Sequence, residues 1–89
     1  MSSDAGRYTV AVQVTLHEAV LDPQGQAILR GLHTLGFPEI REVHAGKYFR
    51  LVVEAPDAAA ALNSARSACD RLLSNPVIET YTLRLESQL

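Results

Sequence analysis

The 89-residue sequence has one cysteine, no tryptophan and no other aromatic residues than three tyrosines and two phenylalanines. A lone thiol, Cys69, cannot form an internal disulfide, which favours a reducing compartment. No apolar run approaches the roughly 18 residues of a membrane span, and the polar residues 1–7 lack the apolar core of a signal peptide. The sequence therefore predicts a soluble, cytoplasmic protein with no membrane partner.

Basic charge is also scarce, because eight Lys and Arg residues stand against ten Asp and Glu residues, a net charge of −2. Neutralising a phosphate backbone needs a basic surface, so no nucleic acid partner is expected. With 47% hydrophobic residues and only four prolines and five glycines, the composition is that of a folded globular chain. The length predicts a single domain over residues 1–89, with residues 1–6 expected to fray.

Hydrophobic periodicity predicts six elements in the order βαββαβ. Strict alternation favours strands, and apolar residues at helical spacing favour two helices. Gly36 is placed to end the first helix, and Gly46 to turn a hairpin between the second and third strands. This order predicts an α+β fold, an antiparallel sheet with both helices on one face, ferredoxin-like or a relative of it. The predicted elements are strand 7–16, helix 23–35, strands 40–44 and 48–55, helix 58–73 and strand 77–85.

Besides Gly36, five residues are predicted to begin or end the helices. Asp22 and Asp57 are expected N-caps, and Pro23 fits the first helical position. Asn75 and Pro76 are expected to stop the second helix, because proline donates no N–H and biases the preceding residue away from helical angles. The predicted apolar stripe of the second helix comprises Ala61, Leu62, Ala65, Cys69, Leu72 and Leu73.

The sheet face away from the helices is predicted to carry little charge. A mildly apolar face of this kind favours an interface with a second copy or another protein. The alternative is that β-propensity alone selects these residues. The expected outward residues are Thr9, Ala11, Gln13, Thr15, Tyr48, Val52, Ile78, Thr80 and Thr82.

No catalytic, cofactor-binding or metal-binding set is expected from the residues. The three histidines lack metal-ligand spacing, Cys69 lies on an apolar stripe, and no serine lies in a nucleophile elbow. The stretch "AVLDPQGQAI" could be an anion loop, but Asp22 would cap the N–H groups that an anion needs. Gly25 costs about 1 kcal/mol against alanine in a helix. Two explanations for a glycine at position 25 stay open: close approach of a partner's backbone, or a tight first turn that packs on the hairpin.

Four blocks, "LDPQGQAI", "LHTLGF", "VHAGKYFRL" and "NPVIETYTL", resemble the PurS family, the small subunit of phosphoribosylformylglycinamidine (FGAM) synthase. The resemblance implies a non-catalytic subunit of an ATP- and glutamine-dependent complex of purine biosynthesis. That subunit docks the glutaminase (PurQ) on the synthetase (PurL) to support ammonia transfer, and it forms a homodimer or a dimer of dimers. The complex uses ATP, Mg and glutamine, and the resemblance implies that none of them binds this chain.

The resemblance also marks particular positions. Asp22, Pro23 and Asn75 carry over as structural caps and breaks. Contacts across subunits are expected at Gln24, Gly25, Gly46, Lys47 and Glu79, and the outward face adds Thr9, Ala11, Gln13, Tyr48, Val52 and Thr80. The alternative function is an ACT-like, small-molecule-sensing regulatory domain, since that class shares the βαββαβ order.

Overall fold

A computed structural model describes residues 6–88 and shows a three-stranded antiparallel sheet with two helices. The α+β prediction is confirmed. The strand order is β2-β1-β3, so β1 is central and pairs with both neighbours. The elements are β1 (Gly6–Leu16), α1 (Pro23–Thr34), β2 (Gly46–Ala55), α2 (Ala58–Ala68), a π-helical turn (Cys69–Leu73) and β3 (Glu79–Gln88).

Strand β1 supplies the centre of the core. Val10, Val12 and Val14 lie on one face and are essentially inaccessible to solvent, which is the period-2 pattern that the alternation predicts. The strand begins earlier than predicted, because Gly6 already pairs with Ala55. Gly6 therefore does not fray, and the rest of that prediction concerns residues 1–5, which lie outside the described residues.

Helix α2 packs on the valine face of the sheet. The Asp57 carboxylate accepts the Ala60 N–H at 2.8 Å, which confirms it as the N-cap. Ala61, Ala65 and Cys69 are buried, since small side chains let the helix approach the sheet closely. The π-helical turn then adds one residue to the repeat. As a result Leu72, predicted on the buried stripe, is 83% exposed.

The predicted strand 40–44 and its hairpin are wrong. Residues 41–45 pair with no strand, and β2 begins directly at Gly46. The Ala45 N–H donates to the Asp22 carboxylate at 2.8 Å, and the Val43 carbonyl lies against Gly25. These contacts hold the segment on the entrance of α1 instead of on the edge of β2, and they place Lys47 within β2.

Helix α1 does not share the α2 face of the sheet, so that prediction is also wrong. Neither of the two apolar clusters contains a residue of α1, and the helix makes almost no contact with the strands or with α2. Its ends are as predicted: Asp22 caps the first turn, and Gly36 follows the last with a φ of 98°. Local signals therefore define this helix correctly but not its packing.

Candidate functional site

The positions marked by the resemblance gather at one end of the sheet. There β1 ends at Leu16, β2 begins at Gly46 and β3 begins at Glu79, and α1 enters from the same end. Two separate sets of polar contacts form there: Asp22 accepts backbone N–H groups of Gly25 and Ala45, and Glu79 pairs with Lys47 and accepts the Asn75 N–H. Chain segments far apart in sequence thus meet in one place.

Asp22 joins two segments through its two carboxylate oxygens. Oδ1 accepts the Gly25 N–H at 2.9 Å, and Oδ2 accepts the Ala45 N–H at 2.8 Å. These two donors, with a smaller contribution from His44, hold the pKa of the Asp22 carboxyl below its usual value. The predicted cap is confirmed, and the carboxylate itself fills the anion position at this helix entrance.

Gly25 is buried against its own chain. An added Cβ would overlap the backbone carbonyl oxygen of Val43 and would lie 2.6 Å from Asp22 Oδ2. A backbone atom cannot rotate away, so only glycine fits this approach. Of the two explanations, a tight first turn accounts for Gly25, although it packs on residues 43–45 rather than on a hairpin. The predicted subunit contact at Gly25 stays a prediction, and the internal contact is sufficient to require glycine there.

Lys47 and Glu79, both predicted as subunit contacts, pair with each other. Lys47 Nζ lies 3.2 Å from Glu79 Oε2, reaching from β2 to β3 across β1. Glu79 Oε1 also accepts the Asn75 N–H at 2.7 Å, and Asn75 Oδ1 accepts the Val77 N–H at 3.0 Å. The Asn75 N–H and then Lys47 lower the pKa of Glu79. This network fixes the turn before β3, where Pro76 lies.

Two further predicted subunit contacts, Gly46 and Gln24, lie at the same end of the sheet. Gly46 approaches β1 so closely that a Cβ would lie 2.6 Å from the Val14 carbonyl oxygen. Glycine is therefore required there by the sheet itself. Gln24, in the first turn of α1, is exposed. Of the two, only Gln24 leaves its side chain available to another molecule.

The outward sheet face carries more charge than expected. Arg50 lies 3.5 Å and Arg84 3.0 Å from the Glu86 carboxylate, joining both edge strands. Each arginine is paired in register with Ala11, which is buried although no helix of residues 6–88 covers this face. Sequence reasoning missed Glu86, because an irregularity in the β1–β3 register near Thr9 changes the alternation.

Exposure divides the predicted interface residues of the outward face into two groups. Thr9 and Ala11 are buried within the chain. The side chains of Gln13, Tyr48, Val52 and Thr80 are exposed, Val52 by 58%. An interface on this face stays a prediction, and only the exposed group could form it.

Cys69 is fully buried, and burial raises the pKa of its thiol. Next to it, the Tyr81 hydroxyl donates to Asp70 at 2.7 Å across the π-helical turn, which raises the pKa of Tyr81. This pair was not predicted, because α2 and β3 meet only in the tertiary structure.

Within residues 6–88, no three His, Cys, Asp or Glu side chains come together as a metal site. No helix in the same range could cross a bilayer.

The lowered pKa of Asp22 predicts a pH-dependent stability. Its ionised form stabilises the fold above the ordinary carboxyl value of 3.8, and this contribution is lost as the pH falls through the lower folded-state pKa. Asp22→Asn places an NH2 group against one of the two N–H donors. We expect this variant to be less stable than the parent near neutral pH, with the difference shrinking below pH 3.8. Urea midpoints measured across this range test it.

Glu18→Gln is the matched control, because Glu18 is an exposed carboxylate in the neighbouring loop. It removes one negative charge without removing a cap, so its midpoint should follow that of the parent at every pH. A difference between the parent and Asp22→Asn that stays constant from neutral pH to pH 3 would contradict the assignment.

Comparison with known proteins gives a consistent result. The PurS family model, described as Phosphoribosylformylglycinamidine (FGAM) synthase, matches residues 9–87. The PurS subunit of this synthase from Synechocystis sp. is 44% identical over 78 residues, 88% of this chain and 78% of that protein. The purS subunit of Thermotoga maritima superposes with a TM-score of 0.87 at 32% identity, covering 92% of this chain and 94% of that one.

A structure of PurLQS from Thermotoga maritima matches with a TM-score of 0.84 at 32% identity, over 90% of this chain and 98% of that one. Fold and comparisons together define a small α+β subunit of a multi-subunit enzyme. The chain belongs to the PurS family, and it is a subunit of FGAM synthase, a ligase of purine biosynthesis. The alternative of an ACT-like regulatory domain is therefore wrong.

Proposed function

We propose that this chain is a non-catalytic connector, which docks the glutaminase PurQ onto the synthetase PurL so that ammonia passes between them. The proposal rests on one observation: the side chains of this chain that could take part in catalysis make contacts that stabilise its own fold. Asp22 and Glu79 accept backbone N–H groups, and Cys69 is buried with a raised pKa. These groups are committed to the fold. A related chain is also found in a structure of PurLQS.

The proposal assigns ATP, Mg and glutamine to the other subunits, and none of them to this chain. It treats the chain as one PurS-like domain in the cytoplasm, where a reducing environment suits its free thiol. The exposed residues of the outward face, Tyr48 and Val52 above all, are the proposed contact with PurL or PurQ. Exposed apolar side chains that flank an ion-pair network suit a partly polar protein interface.

Reconstitution with the cognate synthetase and glutaminase tests the connector role. Omitting this chain should lower glutamine-dependent FGAM formation by about tenfold or more, because ammonia released into water is diluted and protonated. With ammonium chloride in place of glutamine, the rate should not depend on this chain, since no transfer between sites is needed. An unchanged glutamine-dependent rate would show that the chain is not the connector.

A further inference from the structure

The outward face of the sheet differs in charge from the rest of the chain. Within residues 6–88, three arginines and two glutamates have side chains on this face: Arg7, Arg50, Arg84, Glu54 and Glu86. The outward face is therefore net positive, whereas the whole chain has a net charge of −2. Since opposite charges across an interface favour association, this face suits an acidic partner surface.

The excess positive charge lies at the centre of the face, around Ala11. Arg50 on β2 and Arg84 on β3 are paired in register with this residue, one on each side. Neighbouring strands lie about 4.8 Å apart, so the Cα atoms of the two arginines are separated by about 10 Å. Between them Ala11 contributes only a methyl group. The two guanidinium groups therefore lie close enough to contact one acidic group together.

Glu86 neutralises only one of these two arginines. Its carboxylate oxygens lie 3.5 Å from Arg50 Nε and 3.0 Å from Arg84 Nη2. One carboxylate accepts about four hydrogen bonds, whereas two guanidinium groups have about ten N–H donors. The Arg50 and Arg84 side chains are 64% and 74% exposed, and that of Glu86 is 25% exposed. One positive charge and several N–H donors thus face solvent.

Exposed apolar side chains adjoin the arginine pair on β2. Tyr48 and Val52 lie two residues before and two residues after Arg50, and side chains two residues apart share a face of a strand. Tyrosine and arginine are enriched at protein interfaces, whereas a nucleic acid requires many more basic residues. The combination of a small positive charge with exposed apolar groups favours a protein as the partner.

We propose that the outward face binds another subunit of the complex through an aspartate or glutamate of that subunit, whose carboxylate lies between Arg50 and Arg84. This carboxylate supplies the second negative charge, and charge-assisted hydrogen bonds to guanidinium groups are among the strong ones. Apolar side chains beside it pack on Tyr48 and Val52. Glu86 orients both arginines before binding, which reduces the side-chain entropy lost on association. The inference rests on the connector role and specifies the chemistry of the partner surface.

Binding of the full chain to the separately purified synthetase and glutaminase tests the inference, with dissociation constants from surface plasmon resonance. Arg50→Gln and Arg84→Gln should each raise the dissociation constant by at least about tenfold, because the partner's carboxylate loses a charged donor. Glu86→Gln should lower it by about threefold or more, since the face gains one positive charge. All three differences should shrink between about 0.05 and about 0.5 M sodium chloride, because salt screens exposed charges.

Arg71→Gln is the matched control, because Arg71 is an exposed arginine of the π-helical turn, away from the outward face. It removes the same charge, so its dissociation constant should equal that of the parent. Far-UV circular dichroism checks the fold of every variant. If Glu86→Gln does not fold, Thr82→Lys replaces it, since Thr82 is an exposed residue of the same face and the change adds the same charge.

The possible failures are distinguishable. Arginine variants that bind like the parent, or a folded Glu86→Gln variant that binds more weakly, would overturn the inference and leave the connector role intact. Arginine variants that change only the self-association of the chain, measured by analytical ultracentrifugation, would place a second copy on the outward face and also overturn it. A parent chain that binds neither subunit would contradict the connector role itself.

Discussion

Gly25→Ala is expected to lower the free energy of unfolding by about 1 to 2 kcal/mol. Alanine would gain about 1 kcal/mol of helix propensity, but its Cβ would overlap the Val43 carbonyl oxygen and crowd Asp22 Oδ2. Relief requires the helix entrance to move away from residues 43–45, which strains the Asp22 hydrogen bonds to both segments. Chemical denaturation at a fixed protein concentration measures the loss.

Gly31→Ala is the matched control for Gly25→Ala, because both glycines lie in α1 and nothing approaches within 4 Å of an added Cβ at Gly31. Only the propensity gain remains there, so this variant should be more stable than the parent by about 1 kcal/mol. The two variants should therefore differ by about 2 to 3 kcal/mol. Equal effects would mean that Val43 does not lie against Gly25.

Val12→Ala is expected to lower the free energy of unfolding by about 2 to 3 kcal/mol. Val12 is fully buried at the centre of β1, beneath α2 and between both neighbouring strands. Removing two methyl groups loses their burial and leaves a cavity that a paired central strand cannot close by moving. The same denaturation experiment measures it, at one protein concentration because self-association shifts the midpoint.

Val52→Ala removes the same two methyl groups from the outward face of β2, where the side chain is 58% exposed. Its effect on unfolding should stay within about 0.5 kcal/mol. A loss as large as that of Val12→Ala would show that Val52 is covered in solution. The proposed contact on the outward face would then exist already in the isolated chain.

Prediction from sequence succeeded where one local signal decides the structure. The alternation in residues 8–16 defines β1, and side chains three residues upstream of their N–H partners define both helix starts, at Asp22 and Asp57. The end of α1 at Gly36 follows from a left-handed position that favours glycine. The four sequence blocks also identified the family correctly, because a family resemblance depends only on which residues occur and on their order along the chain.

Prediction failed where contacts between distant segments decide. Residues 40–44 have strand-like composition, but Gly25 lies against Val43 and Asp22, 23 residues upstream of Ala45, accepts the N–H of that residue. Lys47 and Glu79 look like free surface charges until β1 is placed between their strands. The exposure of Leu72 follows from the π-helical turn, which changes the number of residues per helical turn. The spacing of apolar residues in the sequence does not predict this change.

The sequence by itself determined the central strand β1, the caps of both helices and the family of this protein, since each depends on neighbouring residues or on their order. Only the tertiary structure decided the number of strands, the internal pairing of Lys47 with Glu79 and the direction of α1. The physical reason is that an apolar helix face predicts burial without naming the surface that buries it. At the entrance of α1, two hydrogen bonds and one missing Cβ direct the helix away from its own sheet.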